Sequence, residues 1–282
     1  MPVASVNFNR MRALRWLTAV VVFLNVAFSY ASERILPGDP TRTISERYET
    51  LFTPAPYTFS VWGLIYGSFI VYAIVQLLPS QRTTGFYDRM SLPLLTANVL
   101  SAVWLCVFRA ELLGLSVVII LAMLGVAAWM FFEAHAAIST KEVGLWVTAP
   151  FSSFFAWITV ASLADIGARS VYVGGAGSAA AHPGNAVVFI ALAIGACIFV
   201  ATGVRDFVVP AIIGWAMIGI AVARMDEPVV GGAASLALVF CAVFAARNGY
   251  LRLREAAGEG AIETTDLRTR LPSMLRPAAA EG

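Results

Sequence analysis

Eight apolar runs divide this chain, at about residues 13–30, 57–78, 92–108, 113–132, 145–164, 186–203, 207–224 and 232–247. A run of roughly 17–25 apolar residues crosses the hydrocarbon core of a bilayer as a helix. Within lipid a helix is the solution open to such a segment, because its backbone groups must all be paired internally. The fold class predicted is therefore an all-α integral membrane protein. The remaining composition agrees, with only 13% charged residues and 59% hydrophobic ones, against about 25% charged in soluble domains. A net charge of +2, with arginines placed in loops and tails, gives no ground for a nucleic-acid partner. Cys106, Cys197 and Cys241 fall inside apolar runs without a CxxC or Cys/His cluster. They read as small buried hydrophobes rather than a disulfide framework or metal site, and no cofactor motif is visible.

The breaks between runs organise the chain. Residues 1–12 form a short N-terminal segment, and the run after it is read as a retained helix although Ser29-Tyr30-Ala31 loosely resembles a signal cleavage site. Residues 31–56 make a long polar loop in which Thr43 and Glu46 match a capping box. Ile44, Tyr48 and Leu51 would then share one face of a short amphipathic lid lying on the membrane surface. The breaks at 108–113 and 203–207 are short enough to predict helical hairpins. Residues 174–184 form a small-residue loop, and residues 248–282 are polar enough to predict a disordered tail. Counting Lys and Arg on alternate sides gives 13 on the side of the N-terminus and 6 on the other. That bias predicts cytoplasmic termini and an even number of spans.

The run at 57–78 carries the densest chemistry. Phe59, Trp62, Tyr66 and Phe69 recur at steps of three, four and three, which stacks their rings on one helix face. Gly63 and Gly67 form a GxxxG pair beside them, a seam for a helix within the fold or for a homodimer. On the predicted topology Trp62, Trp104 and Trp157 all project into the outer half of the bilayer, the side of the 31–56 loop. Trp16, Trp129 and Trp146 fall at the cytoplasmic interface and read as an aromatic belt. Asp165 follows Trp157 and Ala161 at four-residue steps, which places its carboxylate at the outer end of that face. Asn25 and Asn98 are isolated polar residues inside apolar runs. His135 and His182 are predicted to be solvated loop histidines, and Glu133 beside His135 lacks the further ligands a metal needs. The arrangement expected is an aromatic cavity under a lid.

The motif Thr53-Pro54-Ala55-Pro56-Tyr57-Thr58-Phe59 with Trp62 and Tyr66 resembles the TspO/MBR family of tryptophan-rich sensory and translocator proteins. Asn98 followed by Trp104, and Pro150-Phe151 followed by Ala156-Trp157-Ile158-Thr159-Val160-Ala161, carry the same resemblance in order and spacing. It covers roughly residues 13–166. Phe59 and Trp62 stand one residue closer than in compact members, Ser101 stands where a Trp is expected, and Asp165 where an Asn is usual. Three further runs follow, so the chain looks like a longer, bacterial-type member: a TspO-like five-helix bundle (13–166) plus about three additional C-terminal transmembrane helices (186–247).

The resemblance implies binding of planar hydrophobic ligands, porphyrin- or haem-type tetrapyrroles among them, with a role as sensor or carrier in a bacterial cytoplasmic membrane. Transport of a small apolar molecule and porphyrin breakdown are the alternatives. The ligand-binding residues expected are Asn25, Tyr57, Phe59, Trp62, Tyr66, Asn98, Trp104, Trp157 and Asp165. Rings stack on a macrocycle while their N–H and O–H groups, with a few amides and a carboxylate, fix its orientation.

Overall fold

The computed structural model describes residues 3–175 and 182–256. The middle of the 174–184 loop and the tail beyond residue 256 lie outside the described residues. Nine helices occur among the described residues: α1 (Val3–Ile35), α2 (Thr41–Arg47), α3 (Val61–Val75), α4 (Gly85–Arg109), α5 (Leu113–Ser139), α6 (Thr148–Gly174), α7 (Pro183–Gly203), α8 (Val208–Ala223) and α9 (Pro228–Ala256). Proline marks several of the starts. Pro183 and Pro228 open α7 and α9, where a missing N–H costs nothing. A 3-10 turn, Pro56–Ser60, leads into α3.

Seven of the helical segments are long and apolar enough to cross a membrane. The sixteen residues of α8 fall short of that length. Its apolar side chains are nonetheless covered, because α6, α7 and α9 all pack against it. Most runs extend beyond their sequence-predicted ends. The fourth, α5, continues from the expected 132 to Ser139, the last one to Ala256, and the fifth, α6, to Gly174. The described start of the predicted tail is thus helical as far as Ala256.

Helix α1 packs on α3 and α4, α3 on α6, α6 on α5, and α5 on α4, which closes a ring of five. Helices α7, α8 and α9 form a second layer attached to α6 mainly through α8. In the half of the ring away from α2 the rings interlock. Tyr72 and Phe151 meet at 4.9 Å, Phe69 and Phe154 at 5.2 Å, Tyr72 and Tyr87 at 5.5 Å. Such offset and edge-on pairs add to the burial of large apolar areas, so this half is solid. At its foot Arg15 is buried, donating to Asp88 and to the carbonyls of Gln81 and Thr84. Nearby, Glu142 accepts from the Phe86 amide and from Arg89, whose guanidinium holds that carboxyl below the usual carboxylate range.

The lid forms with different capping from that expected. Pro40 stands at its N-cap, Thr43 lies inside the helix, and Glu46 pairs with Arg42 rather than closing a capping box. Ile44 is fully buried against Phe108 and Leu113, with Tyr48 beside it, whereas Leu51, expected on the same helix face, lies beyond α2 and packs against the main core. A Cβ at Gly63 or Gly67 would meet nothing within 4 Å. No described helix of this chain closes the GxxxG seam, and Gly63 borders an open space.

Candidate ligand cavity

Beneath α2 the ring of helices is hollow. A cavity of about 560 Å³ lies between the ends of α1, α3 and α4, walled by Phe59, Trp62, Gly63, Tyr66, Ser101 and Trp104. Ser29, Tyr30 and Glu33 line it from α1, and Thr41 and Arg42 line it from the lid. A second space of about 50 Å³ continues behind Phe59 and Trp104, where Trp157, Ala161 and Asp165 of α6 form its wall. Phe59 and Trp104 border both spaces, so the three tryptophans surround one aromatic region from three helices.

Each ring is held by a specific neighbour. Trp62 stacks on Tyr66 at 5.2 Å and meets Trp157 edge-on at 6.5 Å. Phe59 also meets Trp157 edge-on, at 5.7 Å. Tyr66 donates to Ser29 Oγ at 3.0 Å, which fixes the Trp62–Tyr66 stack against α1. Trp104 stacks on Phe108 at 5.0 Å and donates through Nε1 to Asp165 Oδ2 at 3.0 Å. Ser116 of α5 donates to the other carboxylate oxygen at 2.9 Å. Asp165 was expected at a helix end, yet α6 runs on past it to Gly174, and the side chain is buried. It joins α4, α5 and α6 while presenting to the small space. Trp157 is buried, and its indole N–H has no hydrogen-bond partner among the described residues. A buried donor left unpaired costs about 1–3 kcal/mol, which an acceptor brought by a ligand would offset.

Other expected site residues lie elsewhere. Asn25 donates to Asn98 Oδ1 at 3.0 Å, and Asn98 donates to the Leu94 carbonyl. This pair bridges α1 and α4 in the packed interior and borders neither space. Tyr57 turns to α8 and meets Trp215 edge-on at 5.6 Å. Phe69, fourth ring of the ladder, sits in the solid half against Phe151 and Phe154.

The rim is clasped in three places that sequence reading did not identify. Glu111, in a left-handed backbone conformation at φ 56°, accepts from Arg47 and from the Tyr48 hydroxyl. That contact holds the Tyr48 phenol above its usual range. Arg109 is buried and donates to the carbonyls of Ser32, Leu36 and Gly38, closing the C-terminal end of α1. From the second layer, Arg224 donates to the Thr50 carbonyl and pairs with Glu49, Trp215 Nε1 donates to the Thr58 carbonyl at 2.9 Å, and the Ala55 amide donates to the Gly219 carbonyl at 3.1 Å. Loop 50–58, which carries Phe59 into the cavity, is thus fastened to α8. The only signal for this in the sequence is a small residue amid an apolar run, which has many other readings.

His135 also departs from expectation. It lies within α5, buried, with Nε2 2.8 Å from Asp206 Oδ2. No group of three or more metal-ligating side chains occurs among the described residues.

A family profile described as TSPO-like protein matches residues 15–247. No curated protein and no solved structure matched the chain.

Proposed function

The chain belongs to the TSPO-like protein family, and from that premise we propose that it binds planar hydrophobic molecules, porphyrin- or haem-type tetrapyrroles or compounds of similar shape, in the cavity beneath α2, as a sensor or carrier. The observation that carries this reading is the 560 Å³ space walled by Phe59, Trp62, Tyr66 and Trp104. Its size falls within the roughly 300–1,000 Å³ typical of small-molecule sites. Rings presented by α3 and α4 suit a flat π system, and the unpaired N–H of Trp157 offers a donor behind them. Ser101 and Gly63, small residues at positions where larger ones would intrude, support the same reading. Glu33 and Arg42 at the rim give polar ends of a ligand something to meet.

Titrating protoporphyrin into purified protein tests it through quenching of intrinsic tryptophan fluorescence. Wild type should give saturable quenching. Trp62→Ala should weaken apparent affinity by about tenfold or more, in line with the loss of one stacked ring. Gly63→Leu, which removes no contact and fills the cavity, should weaken it as strongly with an unchanged melting temperature. Quenching that is unaltered in both variants would place the ligand elsewhere.

A further inference from the structure

At the end of the molecule opposite α2, the start of α1, the end of α3 and the turn that follows it enclose a small cleft of about 40 Å³. Arg12, Arg15, Arg82 and Asp88 are its charged lining. Arg12 and Arg15 stand three residues apart on α1, which puts them on one face. Arg82 comes from the turn between α3 and α4. Hydrogen bonds fix this frame. Buried Arg15 donates to the carbonyls of Gln81 and Thr84, and Gln76 Nε2 donates to the Arg15 carbonyl at 3.3 Å. The turn that carries Arg82 is thereby held against α1.

The charges of this cleft do not cancel. Asp88 is taken by Arg15. The guanidinium groups of Arg12 and Arg82 have no hydrogen-bond or ion-pair partner among the described residues. Three cations therefore share the cleft with one carboxylate, an excess of two positive charges with no histidine among them. Arg89, next in the chain to Asp88, is shared between Glu133 and Glu142 and lies outside the lining. Like charges held in one cleft repel, and an anion seated between them removes that cost.

The space is about three times what one water needs, which suits a compact polyatomic group. Guanidinium forks match phosphate oxygens in pairs. Trp16 is 53% exposed on the rim, with exposed Met11 beside it, so the cleft opens at the height of an interfacial aromatic belt. We propose that it binds a phosphate group through hydrogen bonds from Arg12 and Arg82, above the fixed Arg15–Asp88 pair. The source favoured by the apolar rim is the phosphodiester of an anionic lipid, whose first acyl carbons would lie along Met11 and Trp16; free phosphate offers the same chemistry without that contact. Basic pockets between transmembrane helices are suited to anionic headgroups. This site is separate from the ligand cavity and does not depend on it.

The test measures thermal stabilisation of the detergent-purified full chain by phosphatidylglycerol, phosphatidylcholine of matched acyl chains, or inorganic phosphate. Phosphatidylglycerol should stabilise more than phosphatidylcholine, and added salt should narrow the difference by screening. Arg12→Gln and Arg82→Gln should each weaken phosphatidylglycerol binding on the order of tenfold, the loss of one charge-assisted hydrogen bond. Both residues are exposed, so the lipid-free variants should melt at the wild-type temperature. Lys141→Gln removes a charge from the same end of the molecule but outside the cleft, and should leave binding unchanged. A loss in Lys141→Gln equal to that in the arginine variants would mean diffuse attraction to the surface and overturn the proposal. Equal stabilisation by both lipids, or phosphatidylglycerol binding unaltered when Arg12 and Arg82 are replaced together, would overturn it too. Inorganic phosphate that protects as well at equal concentration, and less in the arginine variants, would uphold the phosphate site and assign it to the free ion.

Discussion

Asp165 accepts one hydrogen bond from Trp104 of α4 and another from Ser116 of α5, so a single carboxylate decides how one wall ring is oriented. Replacing it with alanine removes the acceptor of the half-buried Trp104 N–H and leaves the Ser116 hydroxyl only the Leu113 carbonyl, which should lower stability by about 1 kcal/mol. Asparagine keeps an oxygen for the Trp104 N–H and can donate to the Ser116 hydroxyl, so Asp165→Asn should stay close to wild type. Melting temperatures of the two variants check this. If they fell together, orientation by the carboxylate's acceptor geometry would be ruled out. At this scale the sequence was only partly informative. Rings at regular helical steps marked Phe59, Trp62 and Tyr66, because periodicity reports which face a residue occupies. It says nothing of what lies opposite. Asn25 and Asn98 looked like ligand contacts, yet they bond to each other; Ser116 carried no signal at all.

Helix α8 is the element that ties the second layer to the cavity. A Cβ at Gly219 would stand 2.2 Å from Thr58 Cγ2, so loop 54–58 reaches its place only because that position lacks a side chain. Gly219→Ala should destabilise by about 1–3 kcal/mol through overpacking. It should also weaken the proposed binding of tetrapyrroles, by displacing the loop that carries Phe59. Gly195→Ala on α7, where an added Cβ meets nothing within 4 Å, is the control and should leave both unchanged. Binding retained in Gly219→Ala despite a lowered melting temperature would show that the clasp serves stability alone. The elements themselves were legible in the sequence to within a few turns, since long apolar runs in lipid have one regular solution. Their ends were not. The side chain that closes the C-terminal end of α1, Arg109, acts across the fold rather than along the chain.

For the whole molecule, a ring of five helices with a three-helix layer puts Val3 and Ala256 at the same end, opposite α2. Single cysteines introduced at Arg12 and Arg254 should react with an impermeant maleimide from one side of sealed vesicles, and one at Thr43 from the other. Labelling of Arg12 and Arg254 from opposite faces would contradict an even number of crossings, and with it the membrane-spanning role of the sixteen-residue α8. The hollow half and the solid half of the ring have a consequence for any cargo. Phe69, Tyr72, Phe86 and Phe151 form a stopper across the bore. The interior is therefore closed, like a cup, toward the end away from α2. Holding or presenting a molecule needs no rearrangement of such a vessel, whereas carrying it through to the far side would require the stopper to come apart.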